Sequence, residues 1–248
     1  MTAILIGPAP SGGDDTSNLQ AFFNTICGNS GVSNYGIIPA GNYTCNSPIV
    51  LGATTNVQQG WHIRGAGRGA TTINFGAGLA YGIGMNGYSI WRGCKLSDMQ
   101  LICSSSTTLP IGIKLLDASH SGFQMDNIKF TNFDTSIYSA SGGNNNGEFM
   151  HVSNCEFENC LTVYYQENGQ SYCQIFDSCQ IGARANCNLF RLSYASGGGG
   201  ITLRDVQLSV NSDGVHATNS IMFDLQQNGQ PINVIVRACQ HMAPHLAM

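Results

Sequence analysis

The chain has 248 residues, of which 42% are apolar and only 10% charged, with a formal net charge of −4. An ordinary soluble domain carries roughly 25% charged residues. The apolar content excludes a disordered chain, which is apolar-poor and charge-rich. Ten scattered Lys and Arg residues form no phosphate-tracking patch, so no nucleic-acid partner is predicted. No segment reaches the ~20 apolar residues of a membrane span, so no membrane insertion is predicted either.

The first residues, Met1 to Pro8, have no basic region and only a short apolar run, which predicts no signal peptide. Ser17-Asn-Leu-Gln20 reads as a capping box. Leu19, Phe22, Phe23 and Ile26 follow at i, i+3, i+4 and i+7, which predicts an amphipathic helix ended by Gly28. The glycine-rich run Gly65-Ala-Gly67-Arg-Gly69 lacks the Gly-Lys-Ser/Thr of a phosphate loop and leads into Thr71, Thr72 and Ile73, so it predicts a turn before a strand.

From Leu96 onward the chain repeats. Leu96-Ser-Asp-Met-Gln-Leu101, Met125-Asp-Asn-Ile-Lys-Phe130, Val152-Ser-Asn-Cys-Glu-Phe157, Phe176-Asp-Ser-Cys-Gln-Ile181, Leu203-Arg-Asp-Val-Gln-Leu208 and Val236-Arg-Ala-Cys-Gln-His241 align at intervals of 29, 27, 24, 27 and 33. Each reads apolar, polar, small polar, apolar, polar, apolar, with His241 as the exception. A second column follows within each period: Ile113-Lys-Leu115, Ile137-Tyr138, Val163-Tyr-Tyr165, Phe190-Arg-Leu192 and Met222-Phe-Asp-Leu225. The period is too short for a four-stranded propeller blade and has no helical pattern. The remaining solution is a coil in which each strand pairs with its counterpart one period on. The third position of the repeat (Asp98, Asn127, Asn154, Ser178, Asp205, Ala238) is predicted to form a bend with stacked Asn and Asp. The helix at residues 19–26 seals the open end of the solenoid. The domain organisation predicted is one β-helix over 1–248, with 1–30 as entry strand and cap and 31–248 as rungs.

Ten cysteines show no C-x-x-C spacing in a domain too large to need disulfide staples, and free Cys packs as a small hydrophobe, which predicts buried free thiols and assembly in a reducing cytosol.

Gly13-Asp-Asp-Thr-Ser-Asn-Leu-Gln20, Gly36-Ile-Ile-Pro-Ala-Gly-Asn-Tyr43 and Ile63-Arg-Gly-Ala-Gly-Arg-Gly-Ala-Thr-Thr-Ile73 resemble the entry region of the pectate-lyase-like superfamily. More narrowly, they resemble the β-helix proteins of bacteriophage tailspikes and fibres. The resemblance implies an all-β, single-stranded, right-handed parallel β-helix with an N-terminal capping helix. It also implies a parallel homotrimer. The superfamily contains lyases, hydrolases and members without catalysis, so the resemblance leaves activity open.

Inward columns are apolar, so chemistry must use the outward face. The fifth repeat position gives Gln100, Lys129, Glu156, Gln180, Gln207 and Gln240. Glu158 lies two residues beyond Glu156, about 6–7 Å away on the same face. Asp126 and Asp177 flank them one rung to either side. These carboxylates fit an acid and base for glycoside hydrolysis. With Lys129 or an arginine as proton acceptor they also fit metal-assisted elimination, but the plainer and preferred reading is a solvated face on which Lys129 and Glu156 pair. Tyr164, Tyr165, Tyr172 and Asn145 are candidates for binding carbohydrate, the tyrosines through flat ring faces. The histidines show no ligand spacing, so neither a metal nor another cofactor is predicted.

The function predicted is a bacteriophage virion surface protein that binds host surface polysaccharide and degrades it if the acidic cluster is catalytic. Its other partners would be virion proteins, and it would be assembled in the host cytoplasm and become extracellular on release. A purely structural capsid-decoration or tail protein is the first alternative, and a stand-alone polysaccharide lyase or hydrolase the second.

Overall fold

The computed structural model describes residues 4–28, 34–51, 60–85, 93–104, 110–115, 121–140, 147–168, 171–184, 186–194, 199–210, 221–227 and 232–242. They form a parallel β-helix. One ladder of the first sheet runs Ile4–Ile6, Tyr35–Ile38, His62–Gly65, Lys95–Cys103, Gln124–Thr131, His151–Ser153, Gln174–Asp177, Gly199–Arg204 and Ile232–Arg237, each strand parallel to the next. The second sheet stacks Ile49–Leu51, Tyr81–Met85, Ile111–Leu115, Thr135–Ser139, Thr162–Gln166, Asn188–Tyr194 and Ile221–Gln227.

The repeat alignment is the strand register. Met125 pairs with Leu96 and Val152, Phe176 with Val152 and Leu203, and Leu203 with Val236. The inward residues make one continuous core, in which Phe130 and Phe157 stack with centroids 5.1 Å apart and planes at 6°.

Every residue of the predicted bend column is left-handed: Asp98 (φ 57°), Asn127 (53°), Asn154 (53°), Ser178 (54°), Asp205 (52°) and Ala238 (51°). Asn and Asp tolerate this region because a short polar side chain bonds locally. Here Asn127 Nδ2 donates to Asp98 Oδ1 at 2.7 Å, one rung away. The bend turns the chain sharply while strand pairing continues on both sides, so Lys95–Cys103 and Gln124–Thr131 are long strands crossing it. A second left-handed column, Asn132, Asn159 and Asn186, was not anticipated. Asn159 Nδ2 donates to Asn132 Oδ1 at 2.6 Å. Gly65 stands against the bend: a Cβ there would lie 2.2 Å from the Asp98 carbonyl oxygen.

Helix α1 (Thr16–Cys27) buries Leu19, Phe22, Phe23 and Ile26, the stripe predicted. Gly28 ends it, with its N–H bonded to the Asn24 carbonyl. The capping box is a correction. The helix starts at Thr16, and Gln20 turns away to the sheet: its Nε2 donates to the Val50 carbonyl at 2.8 Å and its Oε1 accepts from Val50 N–H at 2.7 Å. One side chain thereby satisfies both backbone groups of Val50 on the first strand of the second sheet, an edge that would otherwise template a foreign strand. Asp15 is buried, and its carboxylate accepts from the N–H groups of Ser11 (2.7 Å) and Thr44 (3.0 Å). At the far end Leu225 and Val236 continue the buried columns of Leu192 and Leu203 but are about half exposed.

All ten cysteines are free thiols. Eight are buried; Cys173 is exposed and Cys239 partly so, which departs from the uniform burial predicted.

Candidate functional site

The acidic cluster assembles on the first sheet as its spacing predicts. Lys129 pairs in register with Gln100 and Glu156, and Asp126 with Ser153, which pairs with Asp177. Each acid, however, is engaged by a cation. Lys129 Nζ lies 2.9 Å from Glu156 Oε1 and 2.7 Å from Glu158 Oε2, and Arg68 reaches Glu156 at 3.6 Å. Lys95 Nζ lies 2.9 Å from Asp126 Oδ2, and Arg204 pairs with Asp177.

The titration behaviour follows. Burial pushes the Asp126 carboxyl upward, but hydrogen bonds from Lys95, Asn154 and Ser153 outweigh it and leave the pKa below its ordinary value. The Arg204 hydrogen bond lowers Asp177 likewise, against a smaller effect of burial. For Lys129, burial acts to lower the pKa, but the bonds to Glu158 and Glu156 raise it overall. A general acid needs a raised carboxyl pKa and a general base at lysine a lowered one. Asp126, Asp177 and Lys129 are shifted the opposite way, as in an ion-pair ladder.

The aromatic candidates separate. Tyr164 pairs with Ile137 and Phe190, points inward and is fully buried against Phe176, so it has no face for a sugar. The sequence alignment, with Val163 beside Ile137 and Phe190, stood one residue off this register. Tyr172 is exposed. Asn145 lies outside the described residues. Tyr165 points outward, but both ring faces are covered: Tyr138 stacks one rung before it at 5.1 Å, and the Arg191 guanidinium lies 4.5 Å away one rung after it. Neither flat face of Tyr165 is therefore open, and only the ring edges are. Both tyrosine hydroxyls donate to Glu167.

Beside this pair lies a groove that spacing alone did not reveal. It encloses about 370 Å³. Its floor is an outward column of the second sheet, Ile111, Thr135, Thr162 and Asn188, one residue from each of four successive coils. Tyr138, Tyr165 and Arg191 form one wall; Asp134, Leu161 and Asn186, from the turns entering the sheet, form the other. Small threonines between tall walls make the depression, and three rung steps give it a length of roughly 14 Å along the solenoid axis. Asp134 is exposed at the mouth, yet the flanking walls partly desolvate its carboxyl and raise the pKa, while Arg184 and Arg191 pull the other way. Arg191 is held by Asp224, Nε to Oδ2 3.4 Å.

The signal for one wall was present in the second repeat column, where Lys114, Tyr138, Tyr165, Arg191 and Asp224 occupy one outward register. The opposite wall comes from turns, whose path has no period.

No family model matches the chain, and no curated protein does. Among solved structures, the ORF18 protein of Geobacillus virus E2 is similar in fold at 14% identity, with a TM-score of 0.54 over 84% of this chain. This chain spans 50% of that one. The catalytic domain of a GH87 α-1,3-glucanase in complex with tetrasaccharides matches at 12% identity and a TM-score of 0.46, covering 98% of this chain and 56% of that one. The A-module of the Azotobacter vinelandii mannuronan C-5 epimerase AlgE4 matches at 13% and 0.42, covering 94% and 75%.

Proposed function

We propose that this chain, residues 1–248 as one solenoid, belongs to a bacteriophage virion surface protein, tailspike- or fibre-like, that binds host polysaccharide. The observation that carries the reading is the axial groove walled by Tyr138, Tyr165 and Arg191. It is elongated, open to solvent and lined by hydroxyl, amide and carboxylate groups, which is what a chain of sugar rings requires. The fold likeness to a virus protein is consistent with it.

The ion-paired face at Glu156 favours a second reading in which that face has no catalytic part: a binding or purely structural tail or decoration protein. Asp126, Glu158 and Asp177 would then serve the stability of the coil.

Three measurements test these readings. The protein is incubated with host capsule or lipopolysaccharide, and both retention and chain length are followed. Retention without shortening supports a binding protein. Shortening that disappears in Glu156→Gln and Asp177→Asn returns catalysis to the acidic cluster. Sedimentation should give a trimer, and a monomer would count heavily against a spike.

A further inference from the structure

The groove also constrains the chemistry of the chain it takes, an inference that rests on the carbohydrate reading above. The cations along its Tyr138–Tyr165 wall lie against aromatic rings. Arg191 is turned to Asp224 and lies over the Tyr165 ring. Lys114, next in the same column, places Nζ 5.7 Å from the centroids of both Tyr81 and Tyr138. Asp134 takes part in none of the ion pairs found among the described residues. Arg184 and Arg191 act on its carboxyl through space.

A carboxylate only accepts hydrogen bonds, and beyond the one from the Thr135 side chain the remaining lone pairs of Asp134 are matched by donors on a ligand. Sugar hydroxyls supply them. A ligand carboxylate or sulfate at the same place meets like charge in a partly desolvated setting. The rest of the polar lining, Thr135 and Thr162 hydroxyls with Asn186 and Asn188 amides, both donates and accepts, which matches hydroxyls again.

We infer that the groove binds an uncharged glycan lying along the solenoid axis and rejects acidic glycans through Asp134. Rejection of a competitor by a placed like charge is a common source of specificity.

The test uses the full chain and a panel of neutral hexose oligosaccharides and of uronate-bearing oligosaccharides of matched length. Affinities are measured by calorimetry for the wild type, Asp134→Asn, and two groove-blocking variants, Asn188→Trp and Ile111→Trp, whose folding is checked by thermal melting. Neutral members should bind about tenfold tighter than uronates or better. Asp134→Asn should narrow that ratio by improving the uronates, and either blocking variant that melts normally should abolish binding. Uronates binding more tightly than neutral chains, with binding lost on blocking, overturns this inference and leaves the carbohydrate reading standing. An unchanged ratio in Asp134→Asn does the same. Failure of every glycan to bind overturns both.

Discussion

The Arg191 guanidinium lies 4.5 Å from the centroid of the Tyr165 ring, one rung further along the same outward column. The pair ties one wall of the groove together across two coils, since Arg191 is anchored in turn by Asp224 on the next coil. Replacing Arg191 with Ala should therefore cost about 0.5–1 kcal/mol of stability, read from urea unfolding. On the proposed function it should also weaken glycan binding, because the edge of Tyr165 loses its support. Full stability and affinity in that variant would show that the stack contributes nothing.

Ala238 holds a left-handed backbone, φ 51°, at a place where neighbouring coils use Asn or Asp. An L-residue without a local hydrogen bond is disfavoured there by roughly 1–2 kcal/mol. Ala238→Gly is expected to stabilise the protein by up to about 1 kcal/mol, and Ala238→Val to destabilise it. Chemical denaturation of the three proteins gives the order directly.

Phe157 is fully buried, stacked on Phe130 and in contact with Phe176. Truncation to Ala removes the filling between two coils and should cost about 3–5 kcal/mol. In a solenoid each coil contacts only its neighbours, so the loss should show as early local unfolding around Phe157. Hydrogen exchange resolves this: protection should fall around Phe130 and Phe176 and persist in α1.

The ion ladder makes stability depend on acid. Asp126 and Asp177 both have folded pKa values below the ordinary 3.8. A depressed carboxyl stabilises the fold above the unfolded pKa and loses that contribution as pH falls through the folded one. Stability should thus be level from neutral pH down to about 4 and then decline. Asp126→Asn should flatten the decline while lowering the plateau. A melting curve indifferent to pH between 5 and 2 would refute the ladder.

Lys129 is shared by Glu156 and Glu158. Lys129→Met leaves Glu158 without its cation and Glu156 with only the longer contact to Arg68. It should be more destabilising than Glu156→Gln or Glu158→Gln, and added salt should recover part of the loss. Melting temperatures at low and high salt for the three variants give the comparison.

The fold was legible because a solenoid writes its geometry into period. One coil follows another, so Leu96, Met125, Val152, Phe176, Leu203 and Val236 stand in line in sequence and in space, and the bend column betrays itself as Asp and Asn. The amphipathic stripe from Leu19 to Ile26 likewise needs only local spacing. The acidic face could be assembled from the same register. Its pairing was partly legible, since Lys129 stands beside Glu156 and Arg204 beside Asp177 in the same register, whereas Arg68 reaches Glu156 from a turn several coils away in sequence. The segment Val163-Tyr-Tyr165 left open which tyrosine faces outward, and whether the ring faces of Tyr165 were open depended on Tyr138 and Arg191 one rung to either side. The groove depended most on tertiary structure. Its floor follows the register, while Asp134 and Asn186 come from turns of irregular length, and only the folded path of those turns brings a second wall within reach of the first.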